Sequence, residues 1–466
     1  MGYLSIMIHF KNTNTQYGFT IVELVVIIVV IGVLASIGVI GYGSWRQRVA
    51  VSEVSSDLNG AVSAMESARN FGGGYPGTLP SSFTASPGVT LTFVSGDTTN
   101  FCIEATSKSV PSITYFVKTS DNIKEPRRGT CADGVWVDET LPVSGVVTTL
   151  AGSGTGAYAD GTGVAASFWN PNDVAVDSAG TIYVADPVNH RIRKITPAGV
   201  VTTLAGSGSA AYADGTGTAA SFSAPRSIAV DSAGTIYVAD TNNSRIRKIT
   251  PAGVVTTLAG ASSCAFADGT GTGASFCLPA GVDVDSAGTI YVADTNNSRI
   301  RKITPAGVVT TLAGSLTGYA DGTGTAASFR LPTGIDVDSA GTVYVGDRAN
   351  NCIRKITPSG VVTTFTGTCS TTGGYADGTG TAALFSGPRG ITVDSAGTVY
   401  VADTSNNRIR KITPSGVVTT LAGAAYGYAD GTGGAASFSG PAGIDIKGIG
   451  TLYIADESGN RIRKIR

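Results

Sequence analysis

The chain has 466 residues, of which 42% are hydrophobic and 14% charged, with 32 Lys plus Arg against 33 Asp plus Glu and a net charge of −1 at pH 7. There is no basic excess to hold a polyanion, so nucleic acid is excluded as a partner. The 63 glycines accompany many short Val, Ile and Thr runs, which describes a turn-dense β protein rather than a disordered one.

Taken in chain order, the first feature is the block Gly18-Phe19-Thr20-Ile21-Val22-Glu23, followed by an apolar run from Leu24 to Ile40. That run is long enough to span a bilayer. A plain anchor leaves Glu23 unexplained, because a carboxylate at membrane depth is costly and usually functional. The block resembles the N-terminal methylation motif of type IV pilins and type II secretion pseudopilins. The resemblance implies a leader, 1–18, removed by a prepilin peptidase after Gly18, and N-methylation of Phe19. It also implies that Glu23 pairs with the Phe19 amine of a neighbouring subunit in a filament. The leader departs from the family in its apolar stretch Tyr3–Phe10, so translation starts at Met1 or Met7. Gly41-Tyr42-Gly43 stands where many pilins carry a kinking proline.

An α+β pilin module with a long N-terminal transmembrane helix is therefore expected. The helix covers 19–70, its transmembrane part about 19–43. Val49, Val54, Leu58, Ala61, Val62 and Met65 recur at helical spacing and form its packing face. The glycine-rich segment 71–77 ends the helix. A small β head over 71–138 is predicted to hold strands at Thr90–Val94, Phe101–Ala105, Ile113–Lys118 and Gly134–Val137, and 139–144 reads as a linker.

From Gly145 onward one sentence is written six times. Its landmark aspartate recurs as Asp186, Asp240, Asp294, Asp347, Asp403 and Asp456, at spacings of 54, 54, 53, 56 and 53 residues. Each copy holds four apolar runs separated by Gly, Pro and Asn turns, in the first copy Asn172–Asp177, Thr181–Asp186, Arg191–Thr196 and Val200–Ala205. That pattern predicts a four-stranded antiparallel meander per copy, and six such sheets make a β-propeller. The region opens on a fourth strand, Gly145–Gly152, and closes on a third strand, Arg461–Arg466. The first strand is therefore predicted to complete the last blade, which removes a free sheet edge. The motifs Pro388-Arg389-Gly390-Ile391, Val393–Asp403 and Asn406–Ile412 resemble the NHL repeat. That resemblance implies an all-β six-bladed propeller over 145–466, and it implies no single activity.

Six cysteines in an exported chain suggest disulfides. Sequence neighbours give Cys102–Cys131, Cys264–Cys277 and Cys352–Cys369, with free buried thiols the alternative; the first pair also resembles the disulfide-closed loop of pilin heads. Asp160, Asp214, Asp268, Asp321, Asp377 and Asp430 recur in a YADGTG loop. One carboxylate per loop is too few for calcium, and an Asp-Gly turn explains them. The repeated RIRK segments balance against repeated acids and read as scaffold. With His9 in the leader and His190 in a turn, no multi-histidine zinc site can form in the mature chain. No metal, cofactor or catalytic set is implied.

Positions where the copies disagree are free to specialise. They concentrate just before the innermost strand, at the rim of the central channel, and nominate Trp169, Asn172, Asp173, Arg226, Arg330 and Arg389 as ligand-binding residues. The expected protein is a minor pilin or pseudopilin that sits in the membrane before assembly with other pilin subunits. On the cell surface it displays a propeller that binds a glycan or protein. A lyase or hydrolase acting on an extracellular polymer, or a ligand-free spacer, are the alternatives.

Overall fold

A computed structural model describes residues 145–466 except 449, and shorter stretches between 54 and 128. Gly18, Phe19, Glu23, the apolar run 24–40, the expected strand 134–137, Cys131 and the linker 139–144 lie outside the described residues. Among the described residues no helix is long and apolar enough to cross a membrane. The chain divides into two units, Met1–Val137 and Asp138–Arg466.

In the first unit the described residues between 54 and 65 are helical, and four antiparallel strands run in sequential order: Val89–Gly96, Phe101–Ser107, Thr114–Lys118 and Arg127–Arg128. Val54, Leu58, Ala61 and Met65 lie on one helix face at spacings of three and four, and they pack against Val89, Ile103 and Ala105 of the sheet. Asp57 accepts hydrogen bonds from the Ser86 N–H at 2.7 Å and its hydroxyl at 2.9 Å, which ties the helix to the strand that follows. Cys102 is disulfide-bonded.

The second unit is a six-bladed propeller. In the first blade the strands run outward from the channel as Asp173–Val176, Ile182–Asp186, Arg191–Ile195 and Val200–Ala205, followed by a two-residue strand, Gly161–Thr162, on the outer edge. The innermost strands of the remaining blades are Pro225–Val230, Gly281–Val284, Pro332–Val337, Pro388–Val393 and Pro441–Lys447, and each touches the next around a closed ring. In the last blade Val146–Ala151 pairs with Arg461–Ile465, so the ring is closed by a strand from the start of the region. Val146 and Arg466 exchange both backbone hydrogen bonds at 3.0 Å.

The second strand of every blade is buried on both faces because its neighbours on each side are other blades, not solvent. The core is accordingly six clusters, one at each blade junction. One of them joins Phe168, Val174, Ile182 and Val184 of the first blade to Tyr453, Ala455 and Ile462 of the last. Disulfides join Cys264 to Cys277 and Cys352 to Cys369.

Repeated charges build the blade. The second arginine of each RIRK run, such as Arg193, is fully buried, and it reaches Asp186 at 3.1 Å and Asp160 at 2.6 Å. The same clamp recurs through Arg463, which binds Asp456 and Asp430. The YADGTG aspartate is therefore more than a turn residue. It anchors the outermost strand to the third strand, and its other oxygen accepts the Thr203 N–H at 3.3 Å.

Candidate ligand site at the channel mouth

Six innermost strands leave six open edges facing the channel, and an unpaired backbone N–H there needs a partner. Side chains supply it from blade to blade. Asp173 accepts the Ile228 N–H (3.1 Å) and the Ser227 hydroxyl (2.7 Å). The Ser227 oxygen accepts the Val282 N–H (3.0 Å), Asp283 that of Val337 (2.8 Å) and Asp336 that of Val393 (2.6 Å). The Thr392 hydroxyl donates to Asp445 (3.5 Å), and Asp445 accepts the Val176 N–H (2.7 Å), returning to the first blade. Every neighbouring pair of innermost strands is thus joined by a side chain.

Asp173, Asp283, Asp336 and Asp445 face a water-accessible channel but are enclosed by protein. Burial pushes Asp173 and Asp445 up to about 7, despite the N–H groups that favour their ionised forms. Burial also raises Asp283 and Asp336; the Asp283 charge and the hydrogen bond between the two carboxyls raise Asp336 further. Ionisation of one of the two therefore opposes ionisation of the other. No group of three or more His, Cys, Asp or Glu side chains among the described residues is placed to hold a metal ion.

Above this acidic waist the mouth is basic. Arg226 and Arg389 come from the starts of two innermost strands, Asn172 and Thr333 from equivalent positions in two more. Two further residues come from the turn after the second strand. Blades two, three and five place Thr241, Thr295 and Thr404 there, whose hydroxyls donate to the next blade's Pro279, Pro332 and Pro441 carbonyls. The fourth and sixth blades place Arg348 and Glu457 instead. Glu457 accepts from Arg389 at 2.5 Å and from the Asn172 amide at 3.1 Å. Burial lowers the Arg348 pKa, as do the nearby Arg389 and Arg226 charges, while Glu457 opposes them. The channel encloses about 210 Å³, and an adjoining cleft of about 280 Å³ shares Asn172 and Arg226 with it.

Four of the residues nominated from the sequence, Asn172, Asp173, Arg226 and Arg389, line this cavity. Trp169 and Arg330 do not. Their backbone N–H groups bind Asp186 and Asp347, left-handed residues, Asn170 and Leu331, follow them, and both side chains are exposed outside the cavity. Sequence reading missed Arg348, Glu457, Asp283, Asp336 and Asp445. The signal was present: Arg and Glu break a Thr position, and GVDVD, GIDVD and GIDIK break an alternation that reads DVAVD and SIAVD elsewhere. His190 has a structural partner, accepting the Ala224 N–H at Nδ1 (3.1 Å), as Asn351, Asn407 and Asn460 accept across their own junctions.

The sequence profile of the NHL repeat matches residues 168–195, 222–249, 276–303, 329–356 and 385–412. Teneurin-3 of Danio rerio is 28% identical over 394 residues, covering 72% of this chain and 14% of its own length. The chloroplastic SUPPRESSOR OF QUENCHING 1 of Arabidopsis thaliana is 42% identical over 91 residues, 19% of this chain and 9% of its own length. The chain thus spans a small fraction of these curated relatives. A protein of unknown function from Bacteroides thetaiotaomicron superposes with a TM-score of 0.56 at 22% identity, over 82% of this chain and 91% of its own, which is a likeness of fold. This chain carries NHL repeats, five of them matched by the profile, and folds them with a sixth copy into a six-bladed β-propeller.

Proposed function

We propose that the propeller is a ligand-binding module displayed outside the cell, with its site at the channel mouth, on an N-terminal segment that acts as a minor pilin or pseudopilin. One observation carries the binding reading. The scaffold is copied six times, yet four of its charged departures, Arg226, Arg348, Arg389 and Glu457, converge on one cavity mouth, while Arg330 and Lys447 depart outside it. The display reading is supported by the GFTIVE block at 18–23, with prepilin peptidase and other pilin subunits as its partners. A glycan and matrix-protein array probed with the full chain tests the first. Spots bound by wild type and lost in Arg389→Gln support the mouth as the site; spots retained by the variant reject it. Mass spectrometry of the mature N-terminus tests the second, with methylated Phe19 expected and any other start contradicting it.

An enzymatic reading, a lyase or hydrolase on an extracellular polymer, has the Asp283–Asp336 pair in its favour, two coupled carboxyls of raised pKa in a wet channel. Binding is preferred because both carboxylates are already engaged by the Val337 and Val393 N–H groups. Turnover of a bound polymer would reverse that preference.

A further inference from the structure

Resting on the mouth being the ligand site, we infer that it takes a carboxylate-bearing sugar unit, that is, a uronic-acid residue. The charge comes first. Arg389 is satisfied by Glu457, but no ion pair or hydrogen bond reaches the Arg226 or Arg348 side chain among the described residues. The buried arginine of each repeat, by contrast, has two carboxylates. Three guanidiniums against one carboxylate leave the mouth with two uncompensated positive charges, and the burial that lowers the Arg348 pKa marks a cation held partly out of water. A planar carboxylate suits paired guanidiniums.

Hydroxyl-bearing side chains also line the same cavity, namely Ser227, Thr333 and Thr392. The depth of the channel then selects among anions. Four aspartates whose ionisation is held back by burial line the channel beyond the arginines, so its walls offer hydrogen-bond partners and no further cation for a second anionic group. A ligand with one carboxylate at one end and hydroxyls along its body meets guanidiniums first and hydrogen-bond acceptors next.

A peptide is less well served. No Phe, Tyr or Trp lines the cavity to receive or stack an anchor. The inner strand edges cannot add a peptide strand, because the N–H groups of Val176, Ile228, Val282, Val337 and Val393 are already taken by the neighbouring blade's side chains.

The test uses the repeat itself to protect the fold. Arg348→Thr installs the residue that blades two, three and five carry, and Arg226→Ala installs the residue found at Ala280 and Ala442. Full-length protein in detergent is titrated calorimetrically with trigalacturonate, its trimethyl ester, inorganic phosphate and an acidic tripeptide. Trigalacturonate is expected to bind, with the ester at least about 10-fold weaker and each variant about 10-fold weaker at unchanged thermal midpoint. Equal affinity for the ester, with binding still lost in the variants, overturns the uronate inference and leaves the mouth as the site. Competition by phosphate or the tripeptide at matched concentration overturns the sugar. Undiminished binding in both variants overturns the site itself, and absence of binding by every probe overturns both.

Discussion

At the scale of single residues, the repeated and the unrepeated charges do different work. Arg247 is fully buried between Asp240 at 2.9 Å and Asp214 at 2.6 Å. Its removal strands a buried aspartate, so Arg247→Ala is expected to lower unfolding stability by about 3–5 kcal/mol in a denaturant titration. A loss under 1 kcal/mol would show that the clamp is decorative. The channel aspartates carry a pH signature. Asp173 and Asp445 sit at about 7 when folded against 3.8 for the free group. The folded state therefore binds more protons than the unfolded one between those values. Their contribution is fully present below about pH 4 and is lost as pH rises through about 7. Wild type should lose on the order of 2 kcal/mol more than Asp445→Asn between pH 4.5 and 8, the channel's water reducing the nominal shift. Parallel pH profiles would contradict this. The rim was only partly legible at this scale. Variation among the copies pointed to Asn172, Asp173, Arg226 and Arg389. Trp169 and Arg330, however, are exposed outside the cavity, which a comparison of residue types does not register.

At the scale of elements, four strands per blade and the offset that closes the ring were readable because β-branched runs and turn residues recur six times. The fifth strand was not, since a Gly-Thr pair carries no strand signal; it pairs with the fourth strand beside an aspartate clamped by arginine. Close approach of innermost strands fixes another element-level constraint. A Cβ at Gly334 would collide with the Arg389 carbonyl of the next blade, and one at Gly443 with Asp173. Gly334→Ala is expected to lower the thermal midpoint markedly, at a cost of about 1–3 kcal/mol or more, because backbone rather than a flexible side chain must move. The matched substitution Gly199→Ala, where nothing lies near the new Cβ, should cost less and only through its positive φ of 81°. Equal losses at the two positions would remove the packing argument.

At the scale of the whole molecule, the two units answer different questions. The first unit's described residues show a helix packed on a small antiparallel sheet, and the proposed pilin role rests on the sequence before them. In the second, a near-symmetric scaffold carries a charged asymmetry at the channel mouth. The aspartates and hydroxyls of the waist hold the ring together. At the mouth Arg389 pairs with Glu457, while Arg226 and Arg348 have no side-chain partner among the described residues. Sequence periodicity made the scaffold legible. It hid part of the waist, because Asp283 and Asp336 stand beside aspartates that repeat for structural reasons, Asp285 and Asp338. The most direct test of the mouth as the ligand site is hydrogen–deuterium exchange of the full chain with and without trigalacturonate or a ligand found on the array. The account predicts new protection in the segments around Asn172, Arg226, Thr333, Arg348, Arg389 and Glu457, with the outer strands Val200–Ala205 and Val254–Ala259 unchanged. Protection on those outer strands, with the mouth unaffected, would contradict it.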